Sequence, residues 1–364
     1  MIIDNRLSNI PNVDADKAMQ SLYKLIENAI TKGVSLDAIP TIMLWGPPGV
    51  GKSSIVKQVC EKVEKDTDKK VTLTDIRLLL FSPVDLRGVP VADASHTFTK
   101  WLMPKIFDLS EADDVINVIF LDEISAAPQS VQAAAYQICL DHRIGEHILP
   151  KNTIVVAAGN RTTDHSVAYK MPTALANRML HFNIDTNVNV WMKWGVNNNI
   201  DERVLGYLSF DGSKLIEEPD NNSLAYPTPR SWEFVSTILK TTGDSVVEAH
   251  DYISAAVGVD TAFAFERWCE VFQNLPDTKD IFLGVCRVKP KNHDAVFATI
   301  SSMTTYVAQH KDSITTSELE KAFVYVKGFN ADYVMMFYDN IRHIDGIELK
   351  LLKCNAVKEW INRS

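Results

Sequence analysis

The stretch Thr41-Ile42-Met43-Leu44-Trp45-Gly46-Pro47-Pro48-Gly49-Val50-Gly51-Lys52-Ser53-Ser54-Ile55-Val56-Lys57-Gln58-Val59 sets the fold of this chain. It joins an apolar, strand-like run (Thr41–Trp45) to a helix-like run (Ser54–Val59) through a turn rich in glycine and proline. Gly46, Gly49 and Gly51 let the backbone curl so that its N–H groups face an anion. Lys52 is then placed to reach the β- and γ-phosphates of a nucleotide, and the Ser53 hydroxyl to ligate Mg²⁺. The helix that opens beside Ser54 adds the partial positive charge of its N-terminus. An ordinary surface turn would need neither the strand before it nor the helix after it. The candidate nucleotide contacts are therefore Gly46, Pro47, Pro48, Gly49, Val50, Gly51, Lys52, Ser53 and Ser54.

The pattern around the loop is one of alternation. Ala18, Leu22, Leu25, Ile26 and Ala29 recur at three- and four-residue spacing and predict a helix over 14–32. Short apolar runs predict strands at Thr41–Trp45, Val115–Leu121, Thr153–Ala158 and Met179–Ile184, and apolar residues in partial alternation predict one more at Val71–Leu79. Apolar strands separated by helical stretches imply an α/β fold, a doubly wound parallel sheet covered on both faces, with ligands at the carboxyl ends of the strands. After about residue 187 strand-like runs become rare. Amphipathic stretches replace them at Val188–Trp194, Trp232–Leu239, Val246–Val257, Asp260–Phe272, Ala295–Gln309 and Thr316–Val326. The expectation is a nucleotide-binding domain over 1–187 and a helical region over 188–364. A long exposed loop is expected over 211–229, where Asp, Asn, Ser and Pro cluster. Trp191 and Trp194, three residues apart on one helix face, read as helical core.

Composition narrows the function. The chain has 364 residues, enough for two domains, with 46% hydrophobic and 23% charged residues and a net charge of −9. That balance argues against a general nucleic-acid binder, which needs clustered Lys and Arg. No apolar run reaches the roughly 18 residues of a membrane span, and Met1–Arg6 lacks the basic and apolar regions of a secretory signal. The 5 cysteines are scattered and form no CxxC pair; buried free thiols in a reducing cytoplasm are expected. His142 and His147 read as turn or surface residues rather than metal ligands.

Two polar clusters follow strand ends. The third strand closes on Leu121-Asp122-Glu123, where Asp122 fits an acid that supports Mg²⁺ and Glu123 a base that polarises the attacking water. The same acids could instead cap the next helix, as Ser125 could. The fourth strand closes on Ala157-Ala158-Gly159-Asn160. Asn160 is either a turn residue or a side chain that orients the same water and touches the γ-phosphate.

The loop, the Asp122-Glu123 pair and Asn160 resemble the site of AAA+ ATPases. Ser82-Pro83-Val84-Asp85-Leu86-Arg87-Gly88-Val89-Pro90, followed by Trp101 and Pro104, is similar to the second-helix insert of the MoxR-like and dynein-related branch, found in bacteria and phage. Met171-Pro172-Thr173-Ala174-Leu175-Ala176-Asn177-Arg178 resembles that branch's arginine-finger segment. Tyr226-Pro227-Thr228-Pro229-Arg230-Ser231-Trp232 resembles its second sensor, at the start of a lid helix. The likeness covers roughly residues 15–240, and the later helices resemble MoxR-like lids only loosely. It implies ATP and Mg²⁺ as ligands, hydrolysis with Glu123, Asn160 and Arg178 as catalytic residues, and Arg230 on the γ-phosphate from the lid. Arg178 would act on the neighbouring subunit, with Arg161 and Arg143 as competing candidates. A ring, most often a hexamer, is implied, as is a protein partner to be remodelled, first of all one with a von Willebrand factor A domain. The insert, about 81–109, would face the pore or the partner, or Trp101 and Leu102 would simply pack on the sheet. Two other functions stay open: a motor or loader on nucleic acid, and a slowly turning nucleotide-gated scaffold.

Overall fold

The apolar runs become the strands of one parallel sheet. A computed structural model of the chain describes residues 9–361 apart from 165–168, 170, 219–222, 244 and 273–274. The opening segment Met1–Arg6 lies outside the described residues. Among them the strands are, in chain order, β1 (Asn12–Val13), β2 (Ile42–Trp45), β3 (Lys70–Arg77), β4 (Val89–Ala92), β5 (Thr99–Leu102), β6 (Val115–Asp122), β7 (Arg143–Ile144), β8 (His147–Ile148), β9 (Thr153–Gly159) and β10 (Leu180–Ile184). Six form the central sheet in the order β1-β10-β2-β9-β6-β3, every neighbouring pair parallel. The remaining four make two small antiparallel hairpins, β4–β5 and β7–β8.

The register positions the chemistry. Trp45 lies beside Gly159, and Leu121 beside Ala157. The carboxyl ends of β2, β9 and β6 therefore stand next to one another. Each is followed at once by a polar or turn residue: Gly46, Asn160 and Glu123.

The helices of this part are α1 (Ala15–Lys32), α2 (Lys52–Asp66), α3 (Pro83–Arg87), α4 (Gln129–Asp141) and α5 (Thr173–Ala176). Alternation along β6 and β9 sends Ile119, Leu121, Val155 and Ala157 into a core shared with Val131, Ala134, Ala135 and Ile138 of α4. α2 lies against β3, β6 and β9, with α1 packed on it. α1 is well terminated: the Asp14 carboxylate accepts from Lys17 N, and Gly33 closes the helix in the left-handed region.

The chain divides into two compact units, Met1–Thr186 and Asn187–Ser364. The second is helical among its described residues: α6 (Val188–Asn197), α7 (Glu202–Phe210), α8 (Pro229–Thr242), α9 (His250–Val257), α10 (Val259–Phe272), α11 (Thr278–Leu283), α12 (His293–Gln309), α13 (Thr316–Val326), α14 (Ala331–Arg342), α15 (Ile347–Leu351) and α16 (Asn355–Ile361). It has two apolar cores. In one, Tyr207, Trp232, Phe265 and Trp268 pack ring against ring, Trp191 is buried, and Trp194 packs against the cluster. The other gathers Ile300, Met303, Phe323 and Phe337.

The segment 211–229 is not simply an exposed loop. It opens with a tight turn, Gly212–Leu215, in which the Asp211 side chain accepts from Ser213 N. Leu215 is fully buried, and the Trp232 indole donates to Lys214 O at 2.7 Å. One apolar anchor inside a polar stretch is enough to pin it; residues 219–222 of the segment lie outside the described residues. The cysteines are free, with Cys60, Cys139, Cys269 and Cys354 buried and Cys286 half-buried. Burial pushes the thiols of Cys60 and Cys139 up to about 12, which leaves them protonated and unreactive near neutral pH.

Candidate active site

The phosphate loop ends where α2 begins, and α2 begins without a side-chain cap. Gly51 occupies the N-cap position with φ +94 and makes no side-chain bond. A left-handed residue is needed there, which glycine adopts without strain. The first N–H groups of α2 thus have no side-chain acceptor at the cap, the arrangement that an anion satisfies. Lys52, the first residue of the helix, is buried. Its ammonium donates to Gly46 O at 2.7 Å, Pro47 O at 3.0 Å and Asn160 Oδ1 at 3.0 Å. These three acceptors are neutral, and a nucleotide phosphate would add a charged one.

One residue on, the Ser53 hydroxyl donates to Asp122 Oδ2 at 2.9 Å, and the other Asp122 oxygen accepts from Glu123 N at 2.8 Å. A hydroxyl and a carboxylate side by side are hard oxygen donors of the kind that suit Mg²⁺, which keeps waters and substrate phosphates for its other positions. Among the described residues no group of three or more His, Cys, Asp or Glu could hold a metal ion.

Glu123 has φ +60, a conformation that costs a non-glycine residue of order 1–3 kcal/mol. The turn after it holds it there: Ile124 N donates to Ala158 O at 3.0 Å and Ala126 N to Glu123 O at 3.0 Å. The acid pair therefore leads into a turn. It does not cap α4, whose N-cap position is Pro128. Ser125 has a different task from capping. Its hydroxyl accepts from Asn160 N at 2.9 Å, fixing the strand end that carries the Asn160 side chain. Gly159 makes this approach possible, because a Cβ there would stand 2.9 Å from Ser125 Oγ. Asp164 is a further unanticipated member of the neighbourhood. It pairs with Arg161 at 3.1 Å; burial pushes its carboxyl above the usual range, opposed by the charges of Arg161 and Lys52.

Residues 42–184 match the family described as "ATPase family associated with various cellular activities (AAA)". This part of the chain is an AAA ATPase domain. The match runs from the first residue of β2 to the last of β10, and a domain of this family is an ATP-binding, ATP-hydrolysing one. Replication factor C subunit 5 of Mus musculus is 27% identical over 138 residues, which cover 36% of this chain and 37% of that protein. The chain thus matches little more than a third of the length of that relative. Among solved structures, a point mutant of RuvB of Thermotoga maritima aligns at TM-score 0.35 and 14% identity over 85% of this chain and 88% of its own. A proposed ATPase of Cytophaga hutchinsonii aligns at 0.31 and 12% identity over 96% and 97%. At these scores the alignments add nothing to the family match.

The AAA domain brings together Lys52, Ser53, Asp122, Glu123 and Asn160. Ser54 is exposed on the first turn of α2, beside this group. Arg178 is exposed in the turn between α5 and β10, outside that hydrogen-bonded group. The side chain of Ala174 lies outside the described ones. Arg143 is engaged by its own hairpin, donating to Glu146 O at 3.3 Å. Arg230 belongs to the helical unit, exposed in the first turn of α8, which starts at Pro229.

The insert forms the β4–β5 hairpin, whose Trp101 is half-buried while Leu102 is exposed. Neither joins the buried core beneath the sheet. His147 is no plain surface residue: its Nε2 bonds Trp101 O at 2.9 Å and ties β8 to β5. A groove of about 560 Å³ beside the hairpin is lined by Leu80, Phe81, Val84, Leu102, Met103 and Ile106. Among the described residues no helix is long and apolar enough to cross a membrane.

Proposed function

We propose that the protein is a Mg²⁺-dependent AAA+ ATPase of the MoxR type that assembles into a ring, most simply a hexamer, and uses hydrolysis to remodel a protein partner. A protein with a von Willebrand factor A domain is the first candidate. The observation that carries the catalytic part is the pair of cross-strand bonds Lys52–Asn160 and Ser53–Asp122. They join the end of the phosphate loop and the start of α2 to the carboxyl ends of β9 and β6.

In this reading the loop backbone and Lys52 bind the β- and γ-phosphates. Ser53 directly, and Asp122 through water, would hold Mg²⁺, which when bound supplies positive charge against the phosphate oxygens. Glu123 takes a proton from the attacking water as its oxygen bonds to the γ-phosphorus and the bond to the β-phosphate oxygen breaks, giving ADP and phosphate. Asn160 positions that water. Arg178, exposed in its turn, reaches the γ-phosphate of the neighbouring subunit, and Arg230 contacts the γ-phosphate from the helical unit, which acts as the lid. The exposed apolar side chains of the insert, Phe98 and Leu102 foremost, suit contact with a protein partner. The net charge of −9 does not favour a nucleic-acid substrate.

Glu123→Gln tests the reading. ATP affinity should stay within about twofold, while turnover falls by about 10²–10⁴-fold, the usual share of a general base. With ATP present the variant should retain a protein partner in an affinity pulldown. Undiminished turnover would assign the water to another residue.

A further inference from the structure

Trp45 and His181 are used by no step above, yet they link the two parts of the proposed mechanism. Trp45 ends β2, directly before Gly46 of the phosphate loop. His181 lies on β10, directly after the turn that carries Arg178. The two ring planes lie within 22° of each other, edge to edge, with centroids 6.2 Å apart. Trp45 Nε1 donates to His181 Nδ1 at 3.0 Å, and His181 Nε2 stands 2.8 Å from Ala176 O.

The chemistry of the partners fixes the tautomer. An indole N–H only donates, so Nδ1 must carry a lone pair; a carbonyl only accepts, so Nε2 must carry the hydrogen. Both ring nitrogens are thus used. The imidazole's bond to Ala176 O closes a loop over residues 176–181, and Arg178 sits inside that loop. Within the loop the other ties are short: Arg178 N donates to Leu175 O at 3.1 Å and Met179 N to Ala176 O at 3.3 Å. The strand after it is anchored by Leu180 N on Thr41 O at 2.9 Å. His181 is the side chain that ties the Arg178 turn to the strand feeding the phosphate loop.

We propose that His181 is a positioning residue for the ATPase reaction, bridging Trp45 and Ala176 so that the Arg178 turn is held in register with the phosphate loop of its own subunit. The inference rests on the reading of Arg178 as a finger acting on the neighbouring nucleotide. His181 touches neither nucleotide nor water; it acts through the direction in which Arg178 leaves the domain.

The test compares Arg178→Ala, His181→Ala, His181→Gln and Trp45→Phe in the full-length protein, reading kcat, KM for ATP, direct ATP binding and melting temperature. Misplacement of a catalytic group by about 1 Å is enough for a loss near 10²-fold. His181→Ala should therefore lower kcat by about ten- to a hundredfold with ATP binding unchanged. Adding Arg178→Ala to it should give no further loss beyond Arg178→Ala alone. His181→Gln, which offers one donor and one acceptor, should recover much of kcat. Trp45→Phe, which keeps the ring and deletes the donor, should lower kcat several-fold; it also decides the matter if His181→Ala does not fold. A normal kcat in Trp45→Phe and in folded His181→Ala, or losses that multiply with that of Arg178→Ala, would overturn the role of His181 while leaving the finger intact. Full activity in Arg178→Ala would instead remove the finger itself, and the role of His181 with it.

Discussion

Two helix starts in this molecule are built in opposite ways. α8, in the helical unit, opens on Thr228, whose hydroxyl accepts from Ser231 N at 3.0 Å while Ser231 Oγ accepts from Thr228 N at 2.7 Å. Pro229 follows at the first helical position. The chain satisfies that terminus itself. α2 opens on Gly51, with no side chain, and its first residue is a buried lysine. What α8 closes with its own groups, α2 leaves for a ligand. The same division holds more widely: the AAA domain spends polar side chains at strand ends, while the helical unit spends its aromatic residues on packing. A substitution in the first should disturb binding and chemistry more than stability, and the reverse in the second.

The largest effect expected is at α2. Lys52→Ala removes the charged donor proposed for the β- and γ-phosphates, a loss of about 3–6 kcal/mol of binding if it makes two charge-assisted bonds, or about two to four decades in Kd. Calorimetric titration with ATP should show it, with the melting temperature little changed. Unaltered affinity would reject the loop assignment. In the helical unit the expected order reverses. Trp232 is fully buried and donates to Lys214 O, so Trp232→Ala should cost about 3–5 kcal/mol of stability. Denaturant unfolding of the helical unit would measure it. A melt that does not move would show that this core is not what holds the unit together. The smallest effect is at the capped terminus: Thr228→Ala should cost about 1 kcal/mol in the same unfolding experiment, with ATP binding by Lys52 unaffected. A larger drop in affinity than in stability would mean that α8 does more than close itself.

Much of the AAA domain was legible in the chain. The five expected strands lie within a few residues of β2, β3, β6, β9 and β10: β2, β6 and β9, buried almost throughout, are nearly continuous apolar runs, while β3, at the sheet edge, shows only partial alternation. The loop could be read because its glycines, lysine and serine follow one another without interruption. What stayed hidden depends on distant partners. Ser125 meets Asn160 N across 35 positions, and nothing in the residues around Ser125 marks it as more than a turn or cap. β1, with 2 residues, is too short to show a period. The β4–β5 and β7–β8 hairpins have mixed polarity that no alternation betrays. In the helical unit, α15, with 5 residues, is likewise too short for a pattern. Leu215, a fully buried residue in a mostly polar stretch, is what turned an expected loop into a packed turn.

The most direct test of the account is turnover per subunit of the unaltered protein as a function of its concentration, followed together with its assembly state by sedimentation. A site completed by Arg178 of a neighbour cannot work alone, and assembly follows mass action. The account predicts that turnover per subunit falls steeply at the dilution where the ring dissociates, and recovers on reconcentration. Turnover that stays constant down to concentrations where only monomer sediments would contradict it.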